Sequence, residues 1–331
     1  MMKKILFALL SLSIIGCSDP VDLEQLTISG FTQGTTYSIS YVDSLHRNFK
    51  PSIDSILLDI DQSHSLWNEN SLIVSLNEGD TVSPDIHLDK VIRRSVEISR
   101  ETGGTFDITL APLIRAWGFG KEKVDRPDSA TVRSLLKVIG VGGIHRWKEA
   151  IYLDPGYMLD PNAIAQGYSV DVVADFLRQK GIGNYMVEIG GEVRCLGKNI
   201  NDRIWRIGID KPAEQIQADR FQAIVELPDR ALATSGNYRK FWVDEQTGMK
   251  FQHTIDPVTG FPVRNNLLSV TVIGPNATDA DAYATASMVM GVYKAQAFLG
   301  QREDLEALLI FSDEEGNWKE WSTEGFVNLK K

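Results

Sequence analysis

The small number of cysteines is the feature that most constrains how this chain can fold. Its 331 residues include two cysteines, Cys17 and Cys195. Cys17 directly follows an apolar segment typical of export signals, so the exported domain retains Cys195 alone. One thiol cannot form an intramolecular disulfide, and we therefore expect the domain to be stabilised by its core. The hydrophobic share of 43% is ordinary for a globular protein and agrees with this expectation.

The first 16 residues have the features of a signal peptide. Lys3 and Lys4 form a short basic start, and an apolar run follows from Ile5 to Ile15. This run is too short for a typical membrane-spanning helix but has the length of a signal-peptide core. We therefore predict a signal peptide over residues 1–16.

The residues around Cys17 resemble the lipobox of bacterial lipoproteins. The resemblance implies a diacylated Cys17 at the mature N-terminus, followed by a tether over residues 17–26. Ordinary signal cleavage with an incidental cysteine is the alternative. Asp19 lies two residues after Cys17, and in many lipoproteins an Asp at that position accompanies retention in the inner membrane. We therefore expect a lipid-anchored protein on the periplasmic face of the bacterial inner membrane.

Charge, hydropathy and missing motifs exclude several classes of protein. The chain has 34 basic and 44 acidic residues, and removing the two lysines of the signal segment changes the net charge from −10 to −12. Such a surface repels phosphate backbones, which excludes a general nucleic-acid binder. The mean hydropathy of −0.14 argues against a polytopic membrane protein. The motifs GxGxxG, GxxxxGK[ST], GxSxG, HExxH and CxxC are absent, so a plain Rossmann, P-loop, nucleophile-elbow or structural zinc protein is not expected.

Apolar periodicity predicts a mixture of strands and helices. We expect strands over 27–31, 35–41, 184–195 (two strands joined at Gly190-Gly191), 205–210, 221–227 and 268–273. We expect helices over 53–60, 91–99, 131–138 and 168–180, and one long helix over 280–300. No repeat and no linker divides the chain. The predicted fold class is α/β (α+β), as one domain over residues 27–331 with mainly antiparallel strand pairing.

Two polar segments offer oxygen atoms at the start of predicted helices. Asp160 follows an apolar strand end and precedes a small-residue turn, where it would accept hydrogen bonds from a ligand or cap the helix. Asp281 and Thr285 are one helical turn apart, so their oxygens face the same side. Hard oxygen ligands of this kind suit Mg²⁺, and a capped helix start is the alternative.

Three further segments combine turn residues with groups suited to catalysis or binding. His253 precedes the turn Asp256–Gly260, and its imidazole is either a general base or a structural side chain. Ala231–Tyr238 and Glu188–Glu192 contain small residues that either line a pocket or simply form tight turns. The residues alone leave these alternatives open.

Taken together and in order, nine motifs resemble the ApbE family of FAD:protein FMN transferases. They are Gly34–Ile39, Ser65–Asn68, Thr102–Thr109, Trp117–Gly120, Asp160–Tyr168, Glu188–Glu192, Ala233–Tyr238, His253–Pro262 and Ala280–Thr285. The resemblance covers nearly all of the chain beyond its signal segment. It implies a T-fold-like domain with a largely antiparallel sheet and packed helices.

The resemblance also implies an activity. Members transfer FMN from FAD to a Thr or Ser hydroxyl of a partner protein, release AMP and depend on Mg²⁺. The implied partner is a subunit of a membrane redox complex with a stretch similar to Asp-Gly-x-Thr/Ser-Gly-Ala-Thr. No such stretch occurs in this chain, so self-flavinylation is not expected. The alternatives are a Mg²⁺-dependent FAD pyrophosphatase and a flavin-binding lipoprotein without turnover.

Finally, the resemblance implies roles for individual residues. Mg²⁺ would be bound by the side chains of Asp281 and Thr285 and by the backbone carbonyls of Ala163 and Ala284. FAD would be contacted by Gln33, Trp67, Thr105, Phe106, Asp107, Asp160, Gln166 and Ile255, and His253 would deprotonate the acceptor hydroxyl. Three positions depart from the common pattern: Gln166 replaces Lys, Gln33 replaces Met, and Trp67 stands where Tyr or a smaller polar residue is frequent.

Overall fold

An eight-stranded antiparallel sheet organises this protein. The computed structural model describes residues 22–119, 126–212, 220–236, 241–243, 250–252 and 254–331. The strands of the large sheet are, in chain order, β1 (Glu24–Thr32), β2 (Thr35–Asp43), β5 (Tyr185–Ile189), β6 (Glu192–Leu196), β9 (Ala231–Gly236), β12 (Leu267–Gly274), β13 (Glu306–Ser312) and β14 (Trp318–Ser322). They lie side by side in this same order. Three hairpins complete the strands: β3 (Ile144–Trp147) with β4 (Ala150–Leu153), β7 (Arg206–Asp210) with β8 (Phe221–Glu226), and β10 (Phe241–Val243) with β11 (Lys250–Gln252).

Helices fill the connections between these strands. They are α1 (Lys50–His64), α2 (Leu72–Asn77), α3 (Ile86–Glu101), α4 (Ala111–Ala116), α5 (Ser129–Leu135), α6 (Ala165–Gln179), α7 (Ala277–Met290), α8 (Val292–Gly300) and α9 (Glu324–Leu329). No helix within the described ranges is both long and apolar enough to cross a bilayer.

The two faces of the large sheet are covered differently, as the alternation of side chains along a strand allows. On one face, Val187 of β5 packs with Val173 of α6, and Val272 of β12 packs with residues of α7. On the other face, Cys195 lies in a core layer formed by the β7–β8 hairpin and α9. Residues 2% or less exposed occur in both layers, so each face of the sheet carries a buried core layer.

The close contact between α6 and α7 depends on Gly167. A Cβ atom at Gly167 would lie 2.2 Å from the carbonyl oxygen of Ala277 and 2.8 Å from Cβ of Asp281. Asp171, one turn further along α6, accepts hydrogen bonds from the backbone N–H groups of Ala277 and Thr278 at 3.0 and 2.8 Å. One carboxylate therefore satisfies two N–H groups that the start of α7 would otherwise leave without partners.

A charged network fixes α7 from its other side. Arg94 of α3 donates through Nε to Asp279 at 2.6 Å and through Nη2 to Tyr283 Oη at 3.0 Å. The hydroxyl of Tyr283 in turn donates to Glu101. Because Asp281 lies between Asp279 and Tyr283, this network holds the segment of α7 that carries it.

A buried histidine lies where α1 meets α6. His64 is 3% exposed, its ring packs edge-on against Tyr168 at 5.8 Å, and its Nε2 has no hydrogen-bond partner among the described residues. His87 approaches the same tyrosine, with Nδ1 2.9 Å from the Tyr168 hydroxyl. Burial lowers the pKa of His64 from 6.5 to about 4, because the charged ring would have to leave water.

The structure confirms the predicted fold class, a mixed fold with a largely antiparallel sheet, and corrects one helix. The hairpin at Gly190-Gly191 and the helix after Asp160 are present. The single long helix predicted over 280–300 is wrong: α7 ends at Met290 and α8 begins at Val292. Gly291 between them has φ of 73°, which a helix cannot accommodate and which glycine adopts without strain. The first strand also starts at Glu24, three residues before the predicted position.

The α6–α7 contact predicts that Gly167→Ala destabilises the protein. The added methyl would overlap Ala277 O, and overpacking of this kind costs about 1–3 kcal/mol, more than alanine gains in helix propensity. Gly183→Ala is the matched control, because a Cβ there meets nothing within 4 Å. Urea denaturation followed by tryptophan fluorescence measures both variants. A Gly167→Ala midpoint equal to that of Gly183→Ala would show that the helices are free to separate.

The buried histidine predicts a pH dependence of stability. Because the unfolded state binds a proton near pH 6.5 and the folded His64 near pH 4, the free energy of unfolding falls as the pH is lowered. Between pH 7.5 and 5, His64 should account for a loss of about 2 kcal/mol. His64→Phe retains a ring of similar size and should remove most of this slope, leaving the smaller contribution of His87. His46→Gln, at an exposed site, should retain it, and equal slopes in both variants would contradict the assignment to His64.

Candidate active site

The first part of the site is a half-buried glutamine in the turn between β1 and β2. Gln33 has φ of 48°, and its side-chain Nε2 donates to Ser169 Oγ of α6 at 2.6 Å. Its Oε1 is buried and accepts no hydrogen bond from any described residue. Buried acceptors are nearly always satisfied in folded proteins, so this oxygen is positioned to accept a hydrogen bond from a ligand.

A second glutamine lies against the turn between β5 and β6. A Cβ atom at Gly190 would be 2.6 Å from Gln166 Nε2, so glycine makes room for this side chain. Gly190 and Gly191 have φ of 69° and 111°, and Gly190 N–H donates to Thr36 O at 3.1 Å. Gln166 and Ser169 are three residues apart on α6 and share a face of the helix. The two turns therefore meet the beginning of α6 at the same end of the sheet, which we call the site end.

Asp281 lies behind this helix start. It is 6% exposed, and its Oδ2 accepts a hydrogen bond from Gly167 N–H at 3.1 Å. No described residue donates to its other oxygen, Oδ1. Burial raises the pKa of Asp281 to about 7, because a charged carboxylate is costly away from water. A cation beside this carboxylate would offset that cost.

The other expected metal ligands lie on α7 and just before α6. Thr285 is one turn further along α7, with Oγ1 3.1 Å from Ser235 Oγ at the end of β9. Ala163 lies two residues before α6, and Ala284 lies within α7 with its side chain in the core. No group of three or more His, Cys, Asp and Glu side chains suited to a metal occurs in the part of the chain that the structure describes. One carboxylate, one hydroxyl and backbone carbonyls form a hard oxygen set, which fits Mg²⁺ rather than a softer metal.

The two remaining acidic positions form a unit of their own. Asp160 N–H donates to Ile108 O at 2.7 Å, which joins it to the segment that contains Asp107. The Asp107 carboxylate accepts from Thr109 N–H at 2.8 Å and from Thr109 Oγ1 at 2.6 Å. Burial raises the pKa of both carboxyl groups. Of the neighbouring residues, Phe106 is in the core, and Thr105 Oγ1 donates to Thr102 O at 3.0 Å.

Ile255 belongs to a third segment and directly precedes the turn Asp256–Gly260. Its side chain is 2% exposed and packs with Leu113 and Trp117. Trp117 Nε1 donates to Gly260 O at 2.8 Å, which holds the turn against α4. A cavity of about 610 Å³ lies beside this turn. It is lined by Arg126, Asp256, Thr259, Phe261, Pro262, Val263, Arg264, Asn265, Val289, Met290 and Gly291.

Trp67 lies in the loop after α1. Its side chain is 65% exposed, although the neighbouring Leu66 packs against the core. His64, three residues earlier, packs on Tyr168 and so places this loop beside α6. An indole in this position is accessible for stacking on a planar ligand.

The structure thus brings together several of the expected site residues. Gln33, Gln166, Asp281 and Thr285 are linked through α6 and α7, whereas Asp107 with Asp160, Ile255 and Trp67 lie on separate segments. His253 and Cys17 lie outside the described residues.

Sequence reasoning missed the partners that connect the site. Ser169 contacts Gln33 from 136 residues away, and Gly167 donates to Asp281 across 114 residues. Helical spacing from Gln166 would have identified Ser169 as a residue on the same face. Nothing local to Arg94 indicates its contact with Asp279.

Comparison with known proteins shows that this chain is similar to one family along most of its length. Residues 33–309 match the model of the ApbE family. The FAD:protein FMN transferase of Vibrio cholerae serotype O1 is 35% identical, over 98% of this chain and 98% of that protein. The FAD:protein FMN transferase of Escherichia coli K12 is 31% identical, over 92% of this chain and 89% of that protein.

Solved structures agree in fold. The flavin transferase ApbE from Vibrio cholerae is similar with a TM-score of 0.83 and 33% identity, over 93% of this chain and 100% of that one. The apo form of the Pseudomonas stutzeri flavinyl transferase ApbE also has a TM-score of 0.83, with 29% identity over 93% of this chain and 97% of that one. The family match and these full-length similarities confirm the resemblance found in the sequence: this chain belongs to the ApbE family.

Proposed function

We propose that this protein transfers FMN from FAD to a Thr or Ser hydroxyl of a partner protein and releases AMP. The observation that carries the proposal is the junction of α6 and α7, where Asp281, Gly167 and Gln166 meet the turn that holds Gln33. The relatives named FAD:protein FMN transferase are similar to this chain over nearly its full length.

The proposed reaction is a displacement at phosphorus. The acceptor hydroxyl oxygen bonds to the phosphorus of the FMN half of FAD, and the bond from that phosphorus to the bridging oxygen breaks. AMP leaves with that oxygen, and the hydroxyl proton passes to a base. A Thr hydroxyl is a poor nucleophile at neutral pH, so the protein must supply the base and hold both reactants in line.

We assign Mg²⁺ to the oxygen set around Asp281. Asp281, Thr285 and the carbonyls of Ala163 and Ala284 would hold the ion, and the buried carboxylate is the charged member of this set. When bound, Mg²⁺ neutralises negative charge on the pyrophosphate and on the leaving phosphate. The Gly167 N–H keeps Asp281 Oδ2 oriented, which leaves Oδ1 available to the ion.

The remaining site residues would bind and orient FAD. The unsatisfied Oε1 of Gln33 would accept a hydrogen bond from the cofactor, and Gln166 would donate to it. Gln166 is neutral where many family members have Lys, so charge neutralisation here would rely more on the metal. Trp67 would stack on either the flavin ring or the adenine ring of FAD. Asp160 would accept a hydrogen bond from the other end of FAD.

We further propose that the enzyme acts at a membrane. Lipidation of Cys17 would anchor the domain on the periplasmic face of the inner membrane, with Asp19 favouring retention there. The acceptor would then be a subunit of a redox complex in the same membrane.

Replacing Asp281 tests the reaction and its metal together. Purified protein is incubated with FAD, Mg²⁺ and a peptide that contains the Asp-Gly-x-Thr-Gly-Ala-Thr stretch, and both AMP and peptide-bound flavin are measured. We expect equal amounts of both products from the wild type. Asp281→Asn should slow AMP release about a hundredfold at limiting Mg²⁺, because it removes the charged side chain among the proposed metal ligands.

Asp80→Asn, at an exposed turn, is the control for that substitution and should behave like the wild type. Thr285→Ala should act in the same direction as Asp281→Asn but more weakly. Unchanged AMP release by Asp281→Asn would reject the metal assignment. AMP and free FMN without peptide-bound flavin would identify a pyrophosphatase, and flavin binding without AMP would identify a binder.

His253→Ala tests the proposed base. The variant should bind FAD with nearly normal affinity, since all the expected FAD contacts except Ile255 come from other segments. Flavin transfer should fall by about two to four orders of magnitude, the usual range for a lost general base, and recover in part at higher pH. FAD affinity is measured by fluorescence titration and stability by thermal melting. A structural histidine would instead lower the melting temperature and the FAD affinity together.

A further inference from the structure

Three residues with exposed apolar side chains lie at the end of the sheet opposite the site end. Leu23, Leu45 and Ile200 are 51%, 68% and 42% exposed. Two contacts place the segments of Leu45 and Ile200 at the beginning of β1, which Leu23 directly precedes. His46, which follows Leu45, lies with Nδ1 3.2 Å from Glu24 Oε2, and Ile200 N–H donates to Gln25 Oε1 at 3.1 Å.

We propose that Leu23, Leu45 and Ile200 form a membrane-contact surface that enters the interface of a lipid bilayer. The proposal rests on the lipidation of Cys17 proposed above. Leu23 is six residues after Cys17, and a fully extended chain of that length spans at most about 20 Å. The lipid therefore holds this end of the domain, and not another, against the bilayer. Single exposed apolar residues are ordinary, but three beside a lipid attachment point form a surface suited to lipid.

The charges around this surface indicate apolar rather than electrostatic contact. Arg47 pairs with Asp43 at 2.8 Å and Lys198 pairs with Asp202 at 2.9 Å, so these cations are already neutralised. Lys180, whose carbonyl accepts from Arg47 Nη1, adds one cation, whereas Asp22 and Glu24 add two carboxylates beside His46. The described residues at this end therefore hold no excess of positive charge to attract anionic headgroups. We therefore expect immersion of the apolar side chains to be insensitive to salt, unlike that of a polybasic surface.

This surface also determines which way the candidate active site faces. β1 runs from Glu24 at the membrane-contact surface to Thr32, next to Gln33 at the site end. Its nine residues span about 27 Å along the strand. Hydrogen bonds of the neighbouring strands agree: Asn184 O accepts from Val42 N–H at the first end, and Gly190 N–H donates to Thr36 O at the other. The active site therefore faces away from the bilayer, and the acceptor protein docks at the end far from the lipid.

Nitroxide labels on the lipidated full chain test the surface. The protein is reconstituted into vesicles of phosphatidylethanolamine and phosphatidylglycerol, with labels at Leu45→Cys or Ile200→Cys. Phe31→Cys is the matched control, because Phe31 is 73% exposed at the other end of the same strand. Cys195 is 2% exposed, and the labelled wild type corrects for any reaction at this thiol. The ratio of collisions with oxygen to collisions with a water-soluble nickel chelate reports immersion in lipid.

We expect this ratio to be at least about threefold higher at positions 45 and 200 than at position 31, in low and in high salt. Flotation of the vesicles on a density gradient is measured with the same samples, using Cys17→Ala as the unlipidated reference. A wild-type chain that does not float would overturn both the anchor and the surface. A chain that floats with equal ratios at all three positions would overturn the surface alone.

Two further outcomes are equally informative. Labels at 45 and 200 that are shielded from both oxygen and nickel would indicate a protein contact, such as a second copy of the chain, and would overturn the lipid surface. Flavin transfer to the acceptor peptide is assayed in the same vesicles. Immersed labels without flavin transfer would support the membrane-contact surface while contradicting the proposed enzymatic function.

Discussion

The close approach of α6 and α7 at Gly167 is the contact on which the rest of the structure depends. It is possible because position 167 has no side chain, and it is held by Asp171 from one side and by Arg94 from the other. Each α6 residue assigned to the site takes its position from this contact. The packing of α6 on α7 therefore also sets the geometry of the site, and a methyl group at position 167 would disturb both.

Burying the Asp281 carboxylate in this site costs free energy of folding. A carboxylate without a cationic partner is expensive to bury, and Gly167 N–H offsets only part of that expense. The structure is therefore prepared for a positive charge that the described protein residues do not provide. The Oε1 atom of Gln33 likewise lacks a partner: it is buried and accepts no hydrogen bond from the described residues. Both features favour ligand binding over stability.

Much of the fold was predictable from the sequence, because local patterns determine local structure. The hairpin at Gly190-Gly191 and the helix after Asp160 follow from apolar spacing and glycine. The break at Gly291 was missed because a glycine between two apolar helical stretches is compatible with a continuous helix, and its φ is set by packing. The site residues followed from a resemblance to a family. Their connections through Ser169, Gly167 and Arg94 join distant parts of the chain, and no local pattern specifies them.

The buried thiol of Cys195 has a consequence for how this protein matures. Burial raises the pKa of this thiol far above neutrality, so the reactive thiolate is scarcely populated in the folded state. With Cys17 occupied by lipid, the mature chain would present no partner for oxidation, glutathione or thiol exchange. Its folding would then need neither an oxidase nor a disulfide isomerase. The enzyme would therefore mature equally well with and without oxygen.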